Sequence, residues 1–587
     1  MRNKLLFILI IFSITNSKAQ LVSETVIGYT MYDLQYNRST YNRIVQNPDG
    51  TVSAVWNFSP DSSAIFPSRG TGYNYYDGIT WGAWPTSRTE TSRTGFTNII
   101  STSSGKELSI AHTLQGIGVN FRPTKGTGAW NFSQPWGIQG DDSWVKAACS
   151  GDSVYAIWSG IGAVGGQVAG QFGPIYFSAS YDGGQTWSAK SIITLLDSAH
   201  YIGWAAERYA IDAKGGIVAI LYGDLRTDLG ILKSNDGGQT WTQTLVQTHP
   251  IPNYGNYITP TDTNLDGIID TLHSPSGDET ILIDNNGMCH VWFSEFRWLC
   301  DGGGSIAIID LYGSDGLSYW NESMGSDNYI KIATMQDFNL NGRIDFAVNP
   351  AICPSFNQGG SYFSITGKPS AGIDLNGTIY LVYQTMDETS DTSTWSVLHT
   401  HCFIKTLPQI AGVYNVNNWT YPFSISRSTV QGGNDEFEEC VFPSITKYID
   451  QYAYVVYQRD LVPNVRTSSC NATDSMDSYT NDIVVAKIEA ATVGVKSLKH
   501  NLIDAIGISP NPSHQSFLLQ FTLNQASDVR IELIDWIGKI VYSKSKENMN
   551  VGTTKQEIST TNLAPGIYTC SVISNGKRVA SKVVVTP

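Results

Sequence analysis

Short apolar runs, each introduced by a turn carrying Gly or Asp, recur along residues 25–490. The copies are DGTVSAVW (49–56), SGKELSIAHT (104–113), GDSVYAIWS (151–159), GGIVAILYG (215–223), NGMCHVWFS (286–294), NGTIYLVYQ (376–384) and DQYAYVVYQ (450–458). Each predicts a hairpin turn followed by a well-buried strand. Seven copies give about 66 residues per unit, longer than compact four-stranded repeats, so several units carry long loops. Repeating one four-stranded sheet radially leaves only short protected edges. The expectation is therefore an all-β chain with a seven-bladed β-propeller. A pair of β-sandwiches would not explain one motif repeated seven times.

Beyond residue 493 the pattern changes. SFLLQFTL (516–523), DVRIELIDW (528–536), KIVYSKS (539–545) and IYTCSVIS (567–574) alternate apolar and polar positions. They predict a small antiparallel, immunoglobulin-like β-sandwich. At the other end, Arg2 and Lys4 precede the apolar run Leu5–Ile14, and Ser17-Lys18-Ala19 offers small residues before Gln20. That is a secretory signal peptide over residues 1–19, too short to span a bilayer. The expected divisions are 1–19, 20–492 and 493–587.

Composition narrows the function. Of the 587 residues only 15% are charged, the net charge is -14, and Trp, Tyr and Gly are abundant. The mean hydropathy is -0.14. A phosphate track needs clustered Lys and Arg, so nucleic acid is not an expected partner. Eight widely spaced cysteines permit disulfides in an exported chain without fixing their pairing. Cys289 and Cys570, in strand-like runs, read as buried small hydrophobes. His399 and His401 flank Thr400, and with no third ligand in view they read as strand surface.

A second motif follows the first. Ser180–Trp187 (SYDGGQTW) recurs as Ser234–Trp241 (SNDGGQTW), with worn copies at 74–81 and 314–320. The two full copies resemble the Asp box of sialidase-type (BNR) propellers. The Asp carboxylate caps turn amides, the glycines accept positive φ and the Trp packs between sheets, so Asp182 and Asp236 read as structural.

Two further loops share D-x-N-x-[DN]-G-x-x-D: Asp262, Asn264, Asp266 and Asp270, then Asp337, Asn339, Asn341 and Asp345. Oxygen ligands at these positions, with the carbonyls of Ile268 and Arg343, suit a hard cation, and Gly267 and Gly342 permit the sharp turn. Position 12 holds His273 or Val348, so neither is a full EF-hand. The nine-residue form resembles the calcium loops of integrin-type propellers. Structural calcium is the expectation.

The C-terminal residues Pro510-Asn511-Pro512, IDWIGKIVY (534–542), Asn562–Tyr568 and Lys582–Val585 resemble the type A sorting domain of the type IX secretion system. That resemblance implies a Bacteroidota origin, engagement of the type IX machinery, and delivery to the outer-membrane surface or the exterior. The alternative is an immunoglobulin-like carbohydrate-binding module.

Seven residues before Gly50 lies Arg43, which resembles the first-blade arginine of sialidases. The same offset reaches Arg208, preceded by Glu207, and in other units Asn98, Trp144, Thr280, Ser370 and Ser444. A sialidase resemblance implies three arginines, a Tyr–Glu pair and an acid Asp. Arg43, Glu207 and Arg208 are the channel candidates, with Arg297 and Arg459 as conceivable replacements. The function expected is binding of an extracellular glycan or protein. The rival is an exo-acting glycoside hydrolase or lyase using the central channel.

Overall fold

The computed structural model describes residues 21–587 apart from 63–64, 139, 141, 161–165, 205, 252–258, 304–306, 311–315, 336–363, 365, 387–399, 427–437, 461–479, 491–506, 524–526, 536–538, 551, 575–576 and 587. The chain divides into two compact units, one holding residues 19–494 and the other residues 495–587 with the first eighteen. Both are all-β in their described parts, and no helix among the described residues is long and apolar enough to cross a membrane.

Among the described residues of the larger unit seven sheets of three or more strands follow one another along the chain, antiparallel except where Tyr448–Ile449 joins the sixth in parallel. Their first strands are Ile44–Gln46, Thr94–Ser101, Asp142–Ser150, Tyr209–Lys214, Leu272–Ile283, Gly367–Asp374 and Glu439–Ile445. Their second strands are Val52–Phe58, Glu107–Thr113, Ser153–Gly160, Ile217–Tyr222, Cys289–Leu299, Ile379–Met386 and Tyr452–Asp460. Every one of the seven repeated apolar runs is thus the second strand of its sheet. Such strands are buried on both faces, which explains near-continuous apolar runs in place of alternation. The seventh sheet is completed by Leu21–Thr30, paired antiparallel with Asn481–Glu489, so the two ends of the unit share one sheet.

Apolar clusters fill the spaces between successive sheets. One holds Ile157 and Tyr155 of the third sheet with Ile220 and Leu232 of the fourth. Another holds Trp56 and Val52 of the first with Val456 and Ile483 of the seventh. First strands of neighbouring sheets also lie side by side in chain order.

The two full Asp boxes are turn clasps. Asp182 accepts from Gln185 N (3.0 Å) and Thr186 N (2.9 Å), and Asp236 accepts from Gln239 N (3.0 Å) and Thr240 N (2.9 Å). These bonds hold the largely exposed Asp182 carboxyl at about 2 although burial pushes it the other way. Trp187 meets Trp136 of the second unit at 4.9 Å, and Trp241 meets Phe177 of the third at 5.3 Å. In the copy at 314–320, Leu317–Asn321 is itself a strand and Trp320 is buried within it, while Ser314 and Asp315 lie outside the described residues. Its Asp-Gly pair precedes the third strand of the sheet, where a clasp would follow it.

The smaller unit sets Gly507–Ser509, Ser516–Leu523 and Gly552–Ser559 in one sheet and four strands, from Ser527–Ile534 to Lys577–Val585, in another. Phe517, Leu519, Ile531, Leu533, Val572 and Val583 share its core, with the Cys570 thiol. Cys289 is likewise a buried free thiol, so both behave as small hydrophobes. His401, expected on a strand surface, is buried; His399 lies outside the described residues.

Close packing leaves a testable signature at Trp56. A Cβ on Gly72 would stand 2.4 Å from the indole, and one on Gly28 only 2.3 Å. Gly72→Val should therefore cost about 1–3 kcal/mol of stability by overpacking. Urea unfolding followed by tryptophan fluorescence measures it, and an unchanged midpoint would contradict the close approach.

Candidate functional site

The first strands carry a recurrent backbone feature that places side chains at their meeting point. Phe96, Trp144, Glu207, Lys368 and Phe442 have φ between 53° and 60°, and Gly277 has φ of 91°, each two residues before Asn98, Lys146, Tyr209, Ser370, Ser444 and Glu279 respectively. Register shifts accompany most of them. Such bulges re-aim a side chain out of the strand's alternation.

Into this meeting point runs the segment Leu34–Tyr41, and buried charges hold its backbone. Glu207 accepts from Asn37 N (2.6 Å), Arg38 N (2.9 Å), Asn37 Nδ2 (3.1 Å) and the Tyr41 hydroxyl (3.1 Å). Lys368 donates to the carbonyls of Asn37 (2.6 Å) and Arg38 (3.3 Å) and pairs with Asp278 at 2.7 Å. Lys146 donates to the Ser39 carbonyl. Ser39 Oγ donates to the carbonyls of Glu207 and Tyr209. The segment is anchored to six sheets by direct hydrogen bonds: besides these contacts, the Thr40 hydroxyl donates to Pro369 O, Tyr36 to Pro443 O and Thr40 N to Glu279 O, and Asn57 Nδ2 of the first sheet donates to Leu34 O. Burial pushes the Lys368 ammonium down to about 8 against the pull of Asp278, and drives Lys146 well below the usual lysine range.

Arg43 is 1% exposed; its two terminal nitrogens donate to Phe442 O, Val456 O and Gln35 Oε1, and its buried Nε has no hydrogen-bond partner. Burial lowers the guanidinium to about 10. Glu207, with four donors, is likewise occupied. Tyr41 and Glu207 do form a Tyr–Glu hydrogen bond, but Tyr41 is buried beneath the Lys146 ammonium, 3.2 Å from its ring centre, and burial with Glu207 pushes its hydroxyl well up. It is therefore a poor nucleophile.

Arg208 is different. Its side chain keeps 14% exposure and faces Asp224 at 3.4 Å, which Arg226 also meets at 3.1 Å. Burial raises the Asp224 carboxyl, but the two guanidiniums outweigh it and hold it at about 2. Beside Arg208 sits Glu279, fully buried, with neither carboxyl oxygen hydrogen-bonded. Burial pushes Glu279 well above the usual carboxylate range, and Asp224 and Asp278 add to the rise against Arg208. Arg297 lies in a second strand opposite His273, and Arg459 is held by Asp482 at 3.0 Å.

Cross-strand pairing shows why the glycine offset missed part of this cluster. The place of Arg43 is taken by Asn98, Lys146, Ala210, Thr280, Ser370 and Ser444. Trp144 and Arg208 therefore stand two positions away from it. In the third and fourth sheets Cys149 pairs with Val154 and Ala213 with Val218, whereas Gln46 pairs with Val52. The connecting loop is one residue shorter there, and its glycine sits one place earlier.

Beyond the Leu34–Tyr41 segment lies a cavity of about 260 Å³ lined by residues of all seven first strands or their turns. Thr40 and Tyr41 border it, as do Lys447 and Tyr448. Lys447 pairs with Asp212 of the fourth sheet and donates to the Ala213 carbonyl.

The first calcium-type loop has the donor set such an ion needs. Asp262 accepts from Asp266 N and Gly267 N, Asn264 Nδ2 donates to Asp266, and Asp270 accepts from Thr263. Leu265 and Gly267 take positive φ, folding the acids toward each other. Among the described residues, however, no three His, Cys, Asp or Glu side chains already stand close enough to form a metal cluster. The second loop, Asp337 to Asp345 with Asn339, Asn341 and Arg343, lies outside the described residues.

Comparison with known proteins decides the smaller unit. The family described as "Secretion system C-terminal sorting domain" matches residues 507–586. These residues are a type IX sorting domain. The protein is accordingly cargo of that system, delivered to the cell surface or the exterior. No curated protein matches the chain. Among solved structures it is similar to a PL25 ulvan lyase bound to -[GlcA(1-4)Rha3S]- (10% identity, 74% of this chain and 93% of that one, TM-score 0.39). It is also similar to the polysaccharide lyase Uly1 (10%, 80% and 99%, 0.40) and to Trypanosoma rangeli sialidase with sialic acid (10%, 95% and 88%, 0.35). At these scores the likenesses carry no argument about what this chain binds or does.

Glu279 gives the site a pH signature. Its folded value is raised above the ordinary 4.5, so the folded form holds a proton that the unfolded chain has released. That contribution to stability is complete below pH 4.5 and is lost as pH rises through the raised value. Glu279→Gln should flatten this slope and stabilise the protein at pH 8 relative to wild type. Urea midpoints at pH 5 and pH 8 test it; parallel slopes in the two proteins would refute it.

Proposed function

We propose that residues 20–492 form a seven-bladed β-propeller that binds an extracellular glycan or protein without cleaving it. Residues 1–19 are its signal peptide and residues 493–587 its sorting region. Seven successive sheets, neighbouring first strands and a seventh sheet completed by the chain's own beginning support the propeller. The observation that carries the binding reading is the commitment of both terminal nitrogens of the buried Arg43, and of both Glu207 carboxyl oxygens, to protein groups. A substrate carboxylate needs a guanidinium with free donors, and the Arg43 fork is already committed to carbonyl oxygens.

A second reading, a glycoside hydrolase or lyase working in the channel, draws support from Glu279 and Arg208. A carboxyl kept neutral by burial is what a general acid requires, and Arg208 retains some exposure. Fluorogenic sialosides and glycan panels, assayed with wild type and an Arg208→Ala, Glu279→Gln variant, separate the two. The binding reading expects array signal without turnover. Turnover that the double variant abolishes would establish the second.

Calcium in the Asp262 loop is part of the same proposal, with Asp262, Asn264, Asp266 and Asp270 as side-chain ligands and the Ile268 carbonyl as a further one. The Asp337 loop is its weaker counterpart, having fewer carboxylates. A chelator should lower the melting temperature of wild type and leave an Asp262→Ala, Asp337→Ala variant unmoved. A wild-type melt indifferent to chelator would remove the metal.

A further inference from the structure

The cavity of about 260 Å³ has Thr40, Tyr41, Lys447 and Tyr448 in its lining. Its size falls just below the roughly 300–1,000 Å³ of small-molecule pockets, so it suits one ring-sized unit and not an oligomer. Three features of its lining speak to ligand chemistry. The Gln46 side chain lines the cavity, is 8% exposed, and leaves its Oε1 without a hydrogen-bond partner. An acceptor stranded in that way awaits a hydroxyl or N–H donor. Around it, hydroxyls and amides such as Ser101, Thr280 and Asn42 outnumber charges, which matches a polyhydroxylated guest.

Tyr448, in the lining, is 48% exposed, and the ammoniums of Lys447, also in the lining, and of Lys214, just outside it, each stand 5.5 Å from its ring centre. Lys447 is balanced by Asp212. Lys214 has only the neutral Asn285 Oδ1 at 2.5 Å, and among the described residues no carboxylate comes within ion-pairing distance of it. Burial and neighbouring Lys447 lower its affinity for a proton, while Asp212 and Asp284, beyond ion-pairing distance, act the other way. An aromatic face beside a cation that has no direct ion pair recognises a ring that carries negative charge.

We infer that this cavity is a binding pocket for a single saccharide unit bearing a carboxylate or sulfate, its ring against Tyr448, its anion at Lys214 and a hydroxyl donating to Gln46. The inference rests on the binding reading above and locates the ligand away from the Arg208–Glu279 cluster.

Isothermal titration of the full chain with D-glucuronate, glucose 6-sulfate and D-glucose tests it, the first two separating carboxylate from sulfate. At least one anionic sugar should bind about tenfold or more tighter than glucose, the size expected of one hydrogen bond to a charged group. Lys214→Gln should erase that preference, and Tyr448→Ala should weaken all binding several-fold while both variants keep the wild-type melt. Equal affinity for charged and neutral sugars, or affinities unchanged in both variants, would overturn the inference. So would an array signal on glycans with no anionic sugar binding, and that result would leave the broader binding reading standing. Should a variant fail to fold, chemical-shift changes at Tyr448 in the wild type on titration decide between the outcomes: movement supports the pocket, none refutes it.

Discussion

A stretch of polypeptide buried where several strands converge must find a partner for each of its N–H and C=O groups, because water cannot supply one. Leu34–Tyr41 is such a stretch, and the rest of the larger unit's centre is arranged around satisfying it. Backbone meets part of the need, the carbonyls of Glu207 and Glu279 accepting from Ser39 N and Thr40 N. Side chains do the rest: Glu207 takes amides, Lys368 and Lys146 supply ammonium protons to carbonyls, and Ser39 reaches back to the strands. A chain with few charged residues thus places several of them at 0–2% exposure. Hydrogen bonds to ionised groups are roughly twice as strong as neutral ones, which makes charge an effective way to fix a backbone there.

The same requirement determines what the charged centre can do. An arginine and a glutamate at a channel are chemically ready for catalysis only if their donors and acceptors are free in the resting protein. The terminal nitrogens of Arg43 and both oxygens of Glu207 are instead taken up by backbone and side-chain groups, and the cost of removing either residue would be the penalty of stranded polar groups. Arg208, Asp224 and Glu279 form a separate group in which partners are fewer. The difference between the two groups lies in hydrogen-bond accounting, since residue type alone does not distinguish them.

The sequence made the sheets legible because second strands of this kind are buried on both faces and announce themselves as runs such as YAIW and AILY. It made the Asp boxes legible where all of S-x-D-x-G-x-T-W is present, and misled at 314–320, where Asp-Gly and Trp recur without the intervening turn. Leu34–Tyr41 carries no periodicity, so nothing marks it as buried. Lys368 and Glu279 sit in polar contexts, GKPS and GDET, that read as surface turns; only the left-handed backbone two residues before Glu279, at Gly277, turns such a context inward. Lys146 was recoverable in principle, since pairing from the Trp158 side reaches it, but counting back from a turn glycine assumes one loop length and two sheets depart from it.

Glu279 shows how a fold of this kind accommodates an acid it does not pair. An ionised carboxylate without hydrogen bonds would carry a desolvation penalty of several kcal/mol, too much for a domain stable by about 5–15 kcal/mol. A protonated carboxyl costs only what a neutral polar group costs, about 1–3 kcal/mol. Burial together with Asp224 and Asp278 favours the protonated form, while Arg208 opposes it. The neighbouring acids Asp224 and Asp278 therefore do more than pair with their own cations: their negative charge joins burial in keeping Glu279 neutral.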